Sequence, residues 1–203
     1  EALQAADNAV TFLTVVKTIA HKNGYTADFS AKPLPDAPGN GFHINMSVNQ
    51  NRSQEDSDHM IAGILDKIRE ITLFLNPTDN SYERFGSNKA PAYISWSHEN
   101  RSQLVRIPAA KGEYRRCELR SADPTANPYL AYTLLIYAGI YGIEGNLRLP
   151  AAADFNLYKA SPEILKQFEK LPCSLSEARS LASESEFIKQ HLPESLLDIY
   201  LNA

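Results

Sequence analysis

Long apolar runs, metal-type cysteine spacing and a surplus of basic charge are all missing from this 203-residue chain, and each absence excludes a class of function. No stretch approaches the roughly 20 apolar residues that cross a bilayer, and no signal peptide opens the sequence. A net charge of −4 and a pI near 5.8 argue against a general nucleic-acid or membrane-surface role. The two cysteines, Cys117 and Cys173, share no ligand spacing, so a reducing cytoplasm fits best. Internal repeats and low-complexity tracts are absent. The chain begins at Glu1 without a methionine, inside a helix-like pattern, and a truncated or processed product is expected on that ground.

With 43% hydrophobic residues the chain can bury a real core, and one domain or a large part of one is the natural expectation. Apolar spacing predicts a helix over residues 1–23, closed at Gly24, then a short strand over 25–30. Residues 33–41 carry three prolines and two glycines and read as a loop. From Phe42 to Val48 the pattern alternates: Phe42, Ile44, Met46 and Val48 face one way, His43, Asn45 and Ser47 the other. A helix over 57–75 is stopped by Pro77, and 76–91 reads as a long polar loop. Strands are expected at 92–97, 103–107 and 114–120, followed by a helix over 127–141. Three short helices, 162–171, 174–186 and 194–201, form a tail. The class is α+β: a mostly antiparallel sheet with helices packed on one face and a helical C-terminal tail.

Two runs carry chemistry. The first is Lys32-Pro-Leu-Pro-Asp-Ala-Pro-Gly-Asn-Gly-Phe-His43-Ile-Asn45-Met-Ser47, a glycine-bearing loop joined to a strand whose polar face holds a histidine. His43 is a candidate divalent-metal ligand, and Asn45 and Ser47 lie within reach of a nucleotide on the same face. The plain alternative is a half-buried strand with a solvated polar edge. The second run, Tyr114–Arg120, places Arg116, Glu118 and Arg120 on one face and Arg115, Cys117 and Leu119 on the other. Alone it would be an ion-pair ladder. From Arg101 to Arg120, however, six basic residues stand against two acidic ones, inside an acidic protein. Such a reversal suggests an anion site, because the planar fork of arginine matches phosphate and carboxylate. Phosphoryl transfer needs positive groups of this kind, and Glu118 would then serve as a metal ligand. The carboxylates present are too few to complete a metal site.

Taken in order, these segments resemble glutamine synthetase, specifically the C-terminal part of its catalytic domain. The likeness covers roughly residues 1–158. It rests on Lys32-Pro33 through Gly39-Asn40-Gly41-Phe42-His43 to Ser47, and on Asn76-Pro77-Thr78 with Asn80-Ser81-Tyr82 and Arg84. Asn100-Arg101-Ser102 to Arg106-Ile107-Pro108, Arg115-Arg116 through Glu118-Leu119-Arg120, Asp123-Pro124 and Ala126-Asn127-Pro128-Tyr129-Leu130 complete it. The resemblance implies His43 and Glu118 as ligands of Mg2+ or Mn2+, and Gly39, Arg84 and Arg120 as holders of substrate glutamate. It implies Asn45, Ser47, Arg101, Arg106 and Arg116 as nucleotide contacts, with Arg101 and Arg106 catalytic. The implied reaction is ATP-dependent amidation: glutamate is phosphorylated on its side chain, and ammonia displaces the phosphate. The full-length protein would be a cytoplasmic, ring-shaped homo-oligomer with active sites between subunits.

Three departures qualify the resemblance. Asn45 stands where the family carries a second histidine. In the flap, Phe85-Gly86-Ser87-Asn88-Lys89-Ala90-Pro91, Lys89 occupies the place of a glutamate that helps deprotonate ammonium. The family's other metal-binding glutamates and its N-terminal β-grasp domain would lie upstream of Glu1, which makes residues 1–203 the C-terminal portion of the catalytic domain, with 161–203 a helical tail. Two alternatives stay open: a γ-glutamyl-amine (polyamine) ligase of the same superfamily, suggested by Lys89, and a catalytically silent binding or regulatory relative. Asn156-Leu157-Tyr158 also resembles a modified tyrosine site of some bacterial members, although a structural tyrosine explains it as well.

Overall fold

The computed structural model describes residues 1–49, 51–86, 90–109 and 116–202. Its elements run α1 (Ala2–Lys22), β1 (Ile44–Met46), α2 (Gln54–Leu75), α3 (Asp79–Tyr82), β2 (Trp96–His98), β3 (Val105–Ile107), β4 (Cys117–Leu119) and α4 (Pro128–Glu144). The tail is a 3-10 turn at Leu157–Lys159, then α5 (Pro162–Leu165), α6 (Leu175–Glu184), α7 (Glu186–His191) and α8 (Glu194–Asn202). This is α+β, as the sequence patterning indicated.

The strands form one sheet in the order β1-β4-β3-β2. β4 is antiparallel to both β1 and β3, whereas β2 runs parallel to β3. A parallel neighbour so close in sequence requires the chain to return the length of a strand. Three-residue strands span only about 10 Å, so residues 99–104 suffice for the return. Glu99, at φ 61, starts it.

The pleat sorts the sheet into rows. Ile44, Leu119, Val105 and Trp96 are in register across the four strands, and all are buried. The neighbouring row is Asn45, Glu118, Arg106 and Ser97, and it projects to the opposite face. Every residue of the first row is apolar and every residue of the second is polar. A one-residue slip would exchange the rows and bury Glu118 and Arg106 in the core, so the pattern fixes the register.

The apolar face shares one core with α2 and α4. α2 opens with a reciprocal cap: Ser53 Oγ accepts from Asp56 N at 3.0 Å, and Asp56 Oδ2 accepts from Ser53 N at 2.9 Å. That cap starts the helix three residues before the expected position at 57. α4 begins at Pro128 behind Asn127, whose side chain accepts from Tyr129 N and Leu130 N. α2 and α4 touch backbone to backbone: a Cβ on Gly63 would lie 2.2 Å from Ala138 O, and one on Gly142 would lie 2.1 Å from His59 O.

Several expectations need correction. Residues 25–30 form no strand; Asn40 Nδ2 donates to Ser30 O at 2.8 Å, a side chain taking the place of a ladder. The polar loop over 76–91 contains the short helix α3, capped by Thr78 and Ser81. The helix expected over 162–171 ends at Leu165, because Tyr93 and Lys170 pair as an isolated bridge that ties the tail to the segment before β2. Arg69 fastens the tail from the other side, with Nη1 2.5 Å from Glu169 and Nη2 2.9 Å from Glu177. α1 has the expected helical spacing, yet only Ala6 is buried along it, while Leu3, Val10 and Ile19 are exposed. Among the described residues no helix is long and apolar enough to cross a membrane.

Two measurements check this packing. Gly63→Ala forces a methyl into the backbone of α4 and should cost about 3 kcal/mol in urea unfolding, the upper range for overpacking a tight core. Cys117 sits on the buried face of β4, and burial pushes its thiol up to about 12. Iodoacetamide should therefore label the native chain at exposed Cys173 and reach Cys117 only after unfolding.

Candidate functional site

The polar face of the sheet and the loop before β1 enclose a cleft of about 340 Å³. Gly39, His43, Arg84, Arg101, Arg106, Glu118 and Arg120 line it, together with Pro38, Gly41 and Ala90. Seven positions that the sequence separates by up to 81 residues thus share one surface. Among the described lining residues Glu118 is the lone acid, against four guanidiniums.

Glu118 organises the rest. Its Oε2 accepts from Arg106 Nε at 2.6 Å, directly across the β3–β4 pair, and from Arg120 Nη1 at 3.0 Å. Its Oε1 lies 3.2 Å from His43 Nδ1, one residue before β1. Burial works to raise the carboxyl, but the hydrogen bond and charge of Arg120, with Arg106 and His43, prevail and hold it below the ordinary range. His43 moves the other way: burial and the charge of Arg120 lower it despite Glu118, so its ring is neutral near pH 7 and retains a lone pair.

Arg84 enters from the loop after α3, and Gly39 makes its path possible. A Cβ on Gly39 would meet Ala31 O at 2.5 Å and Arg84 Cγ at 2.6 Å. Only 3% of Arg84 is exposed, and its Nη1 donates to Ser121 O at 2.9 Å and lies 3.9 Å from Asp123 Oδ2. Asp123 is wholly buried and accepts from Asn76 Nδ2 at 2.8 Å; the same amide also donates to Ser121 O at 2.9 Å. The motifs Asn76-Pro77 and Asp123-Pro124 thus hold Arg84 from behind, a role that their sequence spacing did not reveal. Arg120 is fixed similarly, through Nε to Arg101 O at 3.2 Å.

The remaining predicted positions lie outside the cleft wall. Asn45 is exposed, and its Oδ1 accepts from Arg116 Nε at 3.0 Å at the rim. Ser47 is exposed beyond the end of β1. Arg115 and Lys89 lie outside the described residues. Tyr158 is exposed at the surface, and partial burial of its hydroxyl raises its pKa against the opposing charges of Arg120 and Arg84.

The donor set fits a hard divalent cation at two positions. Two bonds of about 2.1 Å at right angles separate their donor atoms by about 3 Å, close to the 3.2 Å between His43 Nδ1 and Glu118 Oε1. Among the described residues no third histidine, cysteine or acid completes a cluster.

A model of the glutamine synthetase catalytic domain matches residues 1–203. The chain belongs to that family. A glutamine synthetase of Methanosarcina mazei is 39% identical over 218 residues, covering 100% of this chain and 49% of the relative. One from Pyrococcus furiosus is 39% identical over 214 residues, covering 100% of this chain and 48% of the relative. A solved GmaS/ADP complex superposes with a TM-score of 0.85 at 28% identity, covering 99% of this chain and 50% of that one. The chain therefore spans about half the length of the glutamine synthetases it matches.

The state of His43 gives a test by pH. Its folded pKa lies below the ordinary 6.5, so the unfolded chain binds more protons in the interval between the two. Stability should rise with pH through that interval and be flat above it. Thermal melts in chelator between pH 5 and 8 should show this rise, and His43→Gln should flatten it.

Proposed function

We propose that this chain forms the C-terminal portion of a glutamine synthetase catalytic domain and supplies the phosphate- and glutamate-holding half of an ATP-dependent glutamate–ammonia ligase. The observation that carries this reading is the convergence of Arg84, Arg101, Arg106 and Arg120 on one cleft beside the His43–Glu118 pair. Family membership and a structural relative solved with ADP support a nucleotide there.

The residues divide the work by position. Arg84 and Arg120 are buried, rigidly held forks suited to glutamate carboxylates, and Gly39 leaves its backbone open beside Arg84. Arg101 and Arg106 face the cleft nearer its mouth and would offset charge on the phosphoryl group as the glutamate side-chain oxygen attacks phosphorus and ADP departs. They would hold the same phosphate as ammonia attacks the acyl carbon and inorganic phosphate leaves. Arg116, tethered by Asn45 at the rim, would meet the nucleotide with Asn45 and Ser47. His43 and Glu118 would hold Mg2+ or Mn2+, which when bound supplies charge neutralisation for the phosphates. The setting is the cytoplasm and the whole protein a ring-shaped homo-oligomer.

Two ligands among the described residues are too few to fix a metal firmly, so the 203-residue chain alone should give no detectable ATP-dependent glutamine formation, while the full-length protein should be active. In that protein Arg84→Gln should lower kcat/KM for glutamate about 100-fold, the scale of a lost positioning clamp. Assays with ammonia and with polyamines decide the amine. Robust turnover by the 203-residue chain would refute the assignment, and a silent full-length protein would favour a binding relative.

A further inference from the structure

Glu118 is in contact with more cations than one carboxylate can neutralise. Oε2 already accepts two guanidiniums, at 2.6 Å from Arg106 and 3.0 Å from Arg120. Oε1, beside His43, is the one oxygen left for a metal ion. A divalent cation there would bring the local positive charge to four against a single acid, with Arg84 and Arg101 also lining the cleft. Coulomb repulsion over such distances is poorly screened at a half-buried site. Only one of the two guanidiniums is free to move. Arg120 is 3% exposed and tied through Nε to Arg101 O, whereas Arg106 is half-buried and reaches Glu118 through Nε, at the end of a flexible stem.

We propose that Glu118 is an exchangeable counter-ion: with the cleft empty it neutralises Arg106, and an entering oxyanion takes Arg106 over, freeing Glu118 for the metal. Cation and oxyanion then enter the cleft cooperatively, and each raises the affinity of the other by the same factor, as linkage requires. This rests on the metal-and-phosphate reading of the cleft and adds to it an order imposed by charge. It gives Arg106 opposite effects on the two ligands: it attracts the anion and repels the metal until the anion arrives.

The decisive measurement uses sulfate as the oxyanion probe, titrated into the 203-residue chain and followed by amide chemical shifts. Glu118→Gln keeps the side-chain shape but releases Arg106, and should tighten sulfate binding about tenfold. Glu83→Gln removes an exposed acid outside the cleft and should change it less than about twofold. A second arm follows Mn2+ by paramagnetic broadening. Arg106→Gln should bind Mn2+ more tightly than the parent chain, and the gain that sulfate gives the parent should vanish in this variant. Equal or weaker sulfate binding by Glu118→Gln, or a Glu83→Gln effect of the same size, overturns the exchange and leaves the phosphate reading standing. No saturable sulfate binding to any form overturns both. If Glu118→Gln does not fold, the Mn2+ arm decides: unchanged or weaker binding by Arg106→Gln overturns the proposal.

Discussion

The hydrogen bond from Arg106 Nε to Glu118 Oε2 joins two strands whose opposite faces carry Val105 and Leu119, both wholly sequestered from solvent. That coincidence sets most of the molecule. The apolar row anchors three short strands and a parallel edge strand to α2 and α4, and the polar row must then rise on the open side at fixed spacing. Strands of three residues are weak in isolation. Here each is fixed by what lies behind it, and the backbone contact of Gly63 with α4 brings the helices close enough to form that backing. The chemistry of the cleft is thus a consequence of core packing on the far side of the sheet.

Arg84 shows the same logic at greater depth. A guanidinium that is almost fully buried is costly unless its donors are met. Ser121 O accepts from Arg84 Nη1 and the Asp123 carboxylate lies 3.9 Å from it, while Asn76 Nδ2 donates to both of these acceptors, in a network that crosses from the end of α2 to the segment after β4. Asp123 N is itself bound to Leu75 O, so the network is fastened to the last turn of the longest helix. Rigidity of this kind would give the proposed carboxylate site a fixed fork. Arg106, which pairs with Glu118 on the open face, is less deeply buried than Arg84 or Arg120. The cleft therefore combines buried, immovable arginines at its base with one that can be redirected.

Much of this was legible in the residues because alternation and charge are local signals. His43, Asn45 and Ser47 were assigned to one face of a strand, and Glu118 to the face opposite Cys117, from period two alone; the register pairs Asn45 with Glu118, while His43 and Ser47 lie just outside the three-residue strand. The sign reversal after Asn100 marked three of the four arginines that line the cleft. What escaped was non-local. No pattern in residues 99–104 announces a parallel return, and the Thr78–Ser81 cap hid a helix in a run that composition marks as loop. The role of Asp123 depends on meeting Asn76 and Arg84 across 47 and 39 residues, which spacing cannot show. The strand expected at 25–30 failed for a related reason: its β-compatible residues have no neighbouring strand, and a single asparagine side chain satisfies Ser30 O instead.

The substitution at Asn45 has a physical reading of its own. Its amide oxygen accepts from Arg116 Nε, and that acceptor is present at any pH, since a carboxamide does not titrate in water. A histidine in its place would accept only while neutral, and burial, with the charges of Arg120 and Arg84, already biases one imidazole, His43, toward that state. A second imidazole, two residues after His43, would therefore add another group that responds to pH. With Asn45 the tether on Arg116 is independent of the protonation of His43, so the rim of the cleft and its centre are uncoupled in their response to acid. His43 can change its proton without releasing the arginine at the rim.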